Sequence, residues 1–148
     1  MNGYMPAFMR PPSPCACTNL RRVARAVTRH YDATLGPAGL RITQFALLRA
    51  LRRRGPLSIT ELALEAALDR STMGRNLDPL EARGLVALEP GTADRRARVV
   101  SLTPEGERAL AGAVPLWERA QAELAGRLRP GGLDHLTGAL AELEQAVG

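Results

Sequence analysis

The chain has 148 residues, enough for one domain with a modest core and too few for two independent domains. Hydrophobic residues make up 45% of it and aromatic residues only 3%, so the core has to be built mainly from Leu, Ala and Val, which favours helices. All 20 basic residues are arginine and the net charge is +5. Residues 1–40 hold five arginines and one acidic residue. Residues 41–98 hold eleven arginines and seven acidic residues, and residues 99–148 hold four arginines and seven acidic residues. The basic front of the chain favours a polyanionic partner.

The N-terminal residues 1–17 are expected to form a flexible arm. The segment "MNGYMPAFMRPPSP" has one arginine, four prolines and no apolar core of the kind a signal peptide needs. No stretch of the chain approaches the roughly 20 apolar residues of a membrane span. We therefore expect a cytoplasmic protein without a membrane partner, in which a structural disulfide is disfavoured.

A first amphipathic helix is predicted from Thr18. Apolar residues at positions 20, 23, 24, 27, 31 and 35 share one helical face, and "GPAG" at 36–39 ends the pattern. We assign residues 18–42 to an N-terminal dimerisation helix, because a domain of this size cannot cover long apolar terminal helices by itself.

The next segment has the pattern of a helix-turn-helix. Thr43 is placed to cap "QFALLRALRRRG", and "SITE" at 58–61 is a capping box that starts a short helix. After a brief turn, "DRSTMGRNLDPLEARGL" begins with the candidate caps Asp69 and Ser71 and ends at Gly84. The second helix of such a pair is the one that enters the DNA major groove. Pro79 inside this helix removes one hydrogen bond and predicts a bend after Leu77.

Two short strands and two helices complete the chain. The pattern predicts two strands, Val86–Leu88 and Arg98–Leu102, on either side of the loop "PGTADRR". Thr103 caps a long helix that contains Pro115, and "RPGG" at 129–132 separates it from a last helix. The fold class is therefore mainly α with a small β-wing, in the order α-α-α-α-β-β-α-α. Residues 43–103 form the winged helix-turn-helix, and residues 104–148 form C-terminal dimerisation helices of an expected homodimer.

Candidate DNA contacts lie at the start of the recognition helix and on the wing. Arg75 can pair with guanine and Asn76 with adenine, while small polar side chains at the helix start suit phosphate or base contacts. Leu68, Met73, Leu77 and Leu80 are expected in the core. On the wing, an arginine can enter a narrow minor groove, with Asp94 holding a neighbouring arginine in position. The predicted DNA-binding residues are Arg70, Ser71, Thr72, Arg75, Asn76, Asp94, Arg95 and Arg96.

The segments "LDRSTMGRNLDPLEARGLV" (68–86) and "DRRARVVSLTPEG" (94–106) resemble the MarR family of bacterial transcriptional regulators, and the resemblance covers about residues 18–147. It implies a triangular homodimer with the terminal helices at its interface. It also implies binding to a pseudo-palindromic operator in double-stranded DNA, usually as a repressor that a small molecule or an oxidant releases. Pro79 departs from the family pattern within the recognition helix.

Cys15 and Cys17, the only cysteines, precede the first helix pattern. The peroxide-sensing OhrR-type members of the family carry a reactive cysteine at this place and a tyrosine fourteen residues later, which is the separation of Cys17 and Tyr31. The resemblance thus implies a sensor of organic hydroperoxides. Cys15 is additional to that pattern and could act as a resolving thiol, although a disulfide between residues this close in sequence is strained. Those proteins also have a tyrosine four residues after the cysteine, and Arg21 occupies that position here.

Other interpretations of these residues stay open. The two thiols and His30 give only three metal ligands, and His30 lies about 20 Å along the helix from Cys17. One chain cannot close such a site although the two chains of a dimer could, and no metal site is assigned. A small aromatic effector could bind beside His30, Tyr31 and Arg49, and the cysteines could be inert. No cofactor and no catalytic residue is predicted, because no nucleophile–base pair or phosphate loop is present. A winged-helix module that binds protein instead of DNA is the remaining alternative.

Overall fold

The computed structural model describes residues 11–148, which form six helices and a small sheet. The helices are α1 (Ala16–Leu35), α2 (Ile42–Arg54), α3 (Ile59–Ala66), α4 (Arg70–Ala82), α5 (Pro104–Gly126) and α6 (Gly132–Val147), with a 3-10 turn at Gly36–Ala38. The strands are β1 (Leu57–Ser58), β2 (Val86–Pro90) and β3 (Arg98–Leu102). The expected fold class, mainly α with a small β-wing, is confirmed.

The sheet joins the wing to the helix-turn-helix. Its order is β1-β3-β2 and both pairings are antiparallel, with Val86 opposite Leu102 and Leu57 opposite Val100. β1 was not predicted from the sequence, and it contributes only two residues to the sheet. Because β1 lies directly before α3, its pairing with β3 holds the wing against the helix-turn-helix.

Helix starts follow the predicted caps in three cases and differ in two. Ser58, Asp69 and Thr103 each accept a hydrogen bond from a backbone N–H of the helix that follows, as predicted. The expectation that Thr43 caps α2 was wrong, since α2 begins at Ile42 after Arg41. The first helix begins at Ala16, two residues earlier than predicted, so that Cys15 is its N-cap residue. The recognition helix continues past Pro79 to Ala82.

One hydrophobic core lies where α2, α4, the sheet and the first half of α5 meet. Its fully buried side chains are Leu35, Phe45, Leu47, Leu48, Leu62, Met73, Leu80, Val100 and Leu110. Met73, Leu77 and Leu80 of the recognition helix are buried as predicted, and Leu68 packs partly against them. No helix within residues 11–148 combines the length and the apolar character needed to cross a membrane.

The terminal helices are covered much less. Of α1, only Tyr31 and Leu35 are buried, and no residue of α6 is. Leu136, Leu140 and Leu143 lie at helical spacing on α6 and keep 37–41% of their surface exposed in the protomer. This apolar face and the exposed Leu20 and Val23 of α1 have the character of an association surface.

Candidate nucleic-acid interface

The start of α4 presents polar side chains on an ordered first turn. Asp69 accepts hydrogen bonds from the Thr72 backbone N–H (2.8 Å) and from the Ser71 hydroxyl (2.9 Å). These two bonds, the backbone one first, lower the pKa of the Asp69 carboxyl below its usual value. Arg70 and Ser71 are exposed, and Thr72 is half-buried. Asp69 therefore fixes the helix end whose partial positive charge favours phosphate.

The wing tip is a tight turn built around Asp94. One Asp94 carboxylate oxygen accepts from the Arg96 backbone N–H (2.9 Å), and the Gly91 N–H donates to the Ala97 carbonyl (2.6 Å). A Cβ at position 91 would lie 2.6 Å from the Asp94 carbonyl oxygen, so the turn requires glycine there. Asp94 was expected to hold a neighbouring arginine in position, and in the structure it contacts Arg96 through the backbone N–H of that residue. The side chains of Arg95 and Arg96 remain exposed.

The recognition helix and the wing face the same groove. A cavity of about 370 Å³ is lined on one side by Arg70, Gly74 and Asp78 of α4 and on the other by Arg96 and Arg98. The start of α3 forms its floor with Ser58, Ile59 and Thr60. Arg98 was not among the predicted residues, although three arginines within residues 95–98 indicated a basic wing. Of the predicted residues, Arg70 and Arg96 line this groove, whereas Thr72 and Arg75 line another cavity.

Asn76 does not line the groove between α4 and the wing. Its side chain is only 7% exposed, its amide nitrogen donates to the Thr72 carbonyl (2.8 Å), and its amide oxygen accepts from the Thr43 hydroxyl (2.6 Å). The prediction that Asn76 reads adenine is therefore wrong in this structure, because both ends of the amide are already paired inside the protein. Arg75, one residue earlier, is exposed.

The segment that leads into α2 contacts the end of α4 on one side and α1 on the other. The Arg83 guanidinium donates to the Gly39 carbonyl (2.6 Å), and the Asp32 carboxylate accepts from the Ile42 backbone N–H (2.8 Å). A large open cavity of about 1,040 Å³ lies between these contacts. Thr28 and Asp32 of α1 and Thr72 and Arg75 of α4 are among its lining residues. The end of α1 and the recognition helix therefore share one surface depression.

Cys15 and Cys17 are both exposed at the start of α1, without a disulfide. The Thr18 hydroxyl and then the Thr18 backbone N–H stabilise the thiolate of Cys15 and lower its pKa from the usual value of 9.0. The thiol that these bonds affect is thus Cys15, which had been expected to be the resolving partner. Groups of three or more metal-ligating side chains do not occur within residues 11–148.

Tyr31 and His30 contact α5 instead of the cysteines. The Tyr31 hydroxyl donates to the Gln121 side chain, and burial raises the pKa of Tyr31 above its usual value. The His30 Nε2 lies 3.0 Å from the Ala120 carbonyl oxygen. Fourteen residues of helix separate Cys17 from Tyr31 by about 21 Å, so the two cannot meet within one protomer.

Arg49, the third residue of the expected effector pocket, lies elsewhere. Its guanidinium carbon is 4.4 Å from the centre of the Trp117 ring, which stacks on Phe45. The two cavities that Arg49 lines contain neither His30 nor Tyr31. The predicted grouping of His30, Tyr31 and Arg49 in one pocket was therefore wrong for the protomer.

The comparisons with known proteins agree with this geometry. A sequence model of the MarR family matches residues 38–97. The crystal structure of the Mycobacterium tuberculosis transcriptional regulator MosR in complex with DNA is 37% identical, superposes with a TM-score of 0.79, and covers 89% of this chain and 95% of that one. The chain belongs to the MarR family.

Two other proteins show the breadth of the similarity. The transcriptional regulator HosA of Escherichia coli is 38% identical over 85 residues, which are 57% of this chain and 63% of HosA, so the matched part spans less than two thirds of that curated relative. BpsR of Bordetella bronchiseptica, whose structure concerns the regulation of DNA binding by 6-hydroxynicotinic acid, is 28% identical. Its TM-score is 0.80, with 91% of this chain and 98% of that one covered.

Proposed function

We propose that the protein is a homodimeric transcriptional repressor that binds a pseudo-palindromic operator in double-stranded DNA. The observation that carries the proposal is the common groove between α4 and the wing, with arginines on both sides. Family membership supports it, since the relatives are transcriptional regulators and MosR was crystallised with DNA.

The side chains of α4 divide into two roles in this proposal. Arg75 is exposed on the helix and has the planar fork that pairs with guanine O6 and N7 in the major groove. Arg70, Ser71 and Thr72 surround the helix start and bind phosphate, which positions the helix without reading sequence. On the wing, Arg95 and Arg96 enter the minor groove beside the half-site, where a narrow groove concentrates negative potential.

Dimerisation supplies the second half-site. The exposed apolar residues of α1 and α6 would be buried between two copies of the chain. A two-fold protein dimer reads a two-fold operator, with half-site centres about one helical turn of DNA apart. A dimer bound across a promoter would exclude RNA polymerase and thus repress transcription.

Selection from a pool of random duplexes tests the proposal. The protein would be incubated with the pool at about 0.15 M salt, and the bound DNA would be amplified and sequenced over several rounds. We expect an enriched inverted repeat with half-sites about ten base pairs apart, centre to centre. A pool that stays random after several rounds would refute sequence-specific binding.

We further propose that oxidation of the Cys15–Cys17 pair releases the DNA. The observation that favours this control is the lowered pKa of the exposed Cys15 thiol. The Cys15 thiolate attacks the terminal oxygen of an organic hydroperoxide, which gives a sulfenic acid and releases an alcohol. The Cys17 thiol then attacks the sulfenic sulfur and releases water, and the product is a Cys15–Cys17 disulfide.

Two measurements test this control. In the Cys17→Ser protein, iodoacetamide should alkylate Cys15 with a half-maximal rate at lower pH than in the Cys17→Ser/Thr18→Val protein, because the Thr18 hydroxyl favours the thiolate. Cumene hydroperoxide should release wild-type protein from DNA and leave Cys15→Ser bound. Equal release of both proteins would exclude the thiol mechanism. Release by 6-hydroxynicotinate without release by hydroperoxide would assign control to a small aromatic acid.

A further inference from the structure

One face of α1 carries a row of arginines that the winged helix does not use. Arg21, Arg22, Arg25 and Arg29, here named the α1 strip, are all exposed and together with Thr18 line a shallow depression of about 350 Å³. Residues 16–31 include no acidic residue. Within the part of the chain that the structure describes, none of the four guanidinium groups has a carboxylate within 4.0 Å.

Repulsion between the charges of the α1 strip lowers the stability of α1 within the protomer. Arg21 and Arg25 are four residues apart, as are Arg25 and Arg29, and like charges at that spacing destabilise a helix. The row also lies away from the apolar side of the helix, where Leu20, Val27 and Tyr31 are found. An external polyanion would relieve the repulsion, whereas an apolar protein surface would bury the charges at further cost.

The strip is continuous with the surface depression of the recognition helix. Arg21, Arg25, Thr28 and Asp32 follow one another at helical spacing on one face of α1. Thr28 and Asp32 line the cavity of about 1,040 Å³ together with Thr72 and Arg75 of α4. The carboxylate of Asp32 is held by the Ile42 N–H, and the basic side chains of Arg41 and Arg83 line the same cavity. A basic path therefore leads from α4 along α1.

We propose that the α1 strip binds the phosphate backbone of the DNA that α4 reads. This inference rests on the proposed function and adds a second, sequence-independent contact to it. Arg21, Arg25 and Arg29 are separated by about 6 Å along the helix axis, and every second phosphate of one DNA strand by about 7 Å along the duplex axis. Long arginine side chains absorb the difference. Phosphate contacts position a protein and contribute equally to any sequence, so the strip raises affinity without raising specificity.

The test compares two variants with the same loss of charge. One is Arg21→Gln/Arg25→Gln on the strip, and the matched control is Arg127→Gln/Arg129→Gln at the exposed end of α5. Affinity for the selected operator and for an unrelated duplex is measured between about 50 and 200 mM salt. Circular dichroism and sedimentation are used to check that both variants keep the helices and the oligomeric state of the wild type.

We expect the strip variant to lose at least about tenfold in affinity for both duplexes at the lower salt, by the same factor for each. We also expect the slope of log affinity against log salt to fall by about 3–4 for a dimer, since each phosphate contact contributes about 0.9 to that slope. The control should keep the wild-type slope.

An unchanged slope in the strip variant, or an equal loss in the control, would overturn the inference. Loss of binding to phosphatidylglycerol vesicles with DNA binding unchanged would likewise overturn it and assign the strip to a lipid surface. Failure of the wild type to bind any duplex would instead refute the proposed function itself.

Discussion

Arg75 and Asn76 are neighbours on α4, yet their side chains face opposite surroundings. The Arg75 guanidinium is exposed, whereas the Asn76 amide is enclosed between Thr43 and the Thr72 carbonyl. A buried amide with both ends paired contributes to the position of the helix, and an exposed guanidinium is available to DNA. The two residues therefore predict different consequences when either one is removed.

Replacing Arg75 by alanine should weaken the discrimination between DNA sequences. A guanidinium that pairs with guanine contributes about 1–3 kcal/mol, so Arg75→Ala should lose roughly 5- to 150-fold on the selected operator and much less on a scrambled duplex. Fluorescence anisotropy with both duplexes measures the two affinities, with Arg127→Ala as a control for lost charge. An equal loss on both duplexes would show that Arg75 contacts phosphate only.

Replacing Asn76 should instead affect folding stability. Asn76→Ala leaves the Thr43 hydroxyl without its acceptor, which should lower the free energy of unfolding by about 1–3 kcal/mol. Urea denaturation is measured for Thr43→Ala, Asn76→Ala and the double variant at one protomer concentration. The three changes in the free energy of unfolding give the coupling energy between the two residues. We expect a coupling of about 1 kcal/mol. Additive effects of the two substitutions would mean that the hydrogen bond contributes nothing to stability.

At the scale of elements, the start of α5 depends on a close approach to the chain before β2. Thr103 caps the helix and its hydroxyl donates to the Gly84 carbonyl (2.6 Å). A Cβ on Gly106 would lie 2.0 Å from the Leu85 carbonyl oxygen and 2.6 Å from a Leu102 methyl group. The helix can pack this closely against the base of the wing only because position 106 has no side chain.

Gly106→Ala should therefore destabilise the protein, by about 3 kcal/mol, because backbone atoms have to move. Gly112→Ala on the same helix is the matched control, since a Cβ there meets nothing within 4 Å. That substitution should stabilise the protein by about 0.5–1 kcal/mol through the helix preference of alanine. Thermal unfolding of both variants gives the comparison. Similar melting temperatures for the two would contradict the packing described for α5.

The helices and strands differ in how much of their position could be predicted from their own residues. The starts of α3, α4 and α5 were predictable because the caps Ser58, Asp69 and Thr103 act on N–H groups three residues away. β1 was not, because two residues carry no periodic pattern and the strand exists only through its partner β3. The role of Asn76 likewise depends on Thr43, which is 33 residues distant. Local chemistry thus predicted most boundaries, while contacts between distant segments decided which polar side chains remain exposed for DNA.

At the scale of the whole molecule, the protomer exposes two surfaces of different chemistry, one basic and one apolar. Exposed arginines lie on α4, the wing and α1, whereas the leucines on the apolar face of α6 keep 37–41% of their surface exposed within residues 11–148. The first surface suits a polyanion and the second suits another copy of the chain.

Placing a charge on the α6 face should separate the protomers. Leu140→Glu would bury a carboxylate in the proposed interface, so the variant should sediment as a single protomer at micromolar concentration and bind the operator weakly. Leu64→Glu is the control, because Leu64 lies on α3 and is already 79% exposed. Analytical ultracentrifugation distinguishes the two states. A Leu140→Glu protein that remains dimeric would place the interface elsewhere.

The central claim is that this chain reads a DNA sequence through α4 and the wing. It is tested most directly by the ratio of two affinities at about 0.15 M salt, one for the selected inverted repeat and one for a scrambled duplex of the same composition. We expect the inverted repeat to bind at least about 1,000-fold more tightly, as specific regulators do. Equal affinity for the two duplexes would contradict sequence reading and leave only electrostatic attraction to DNA.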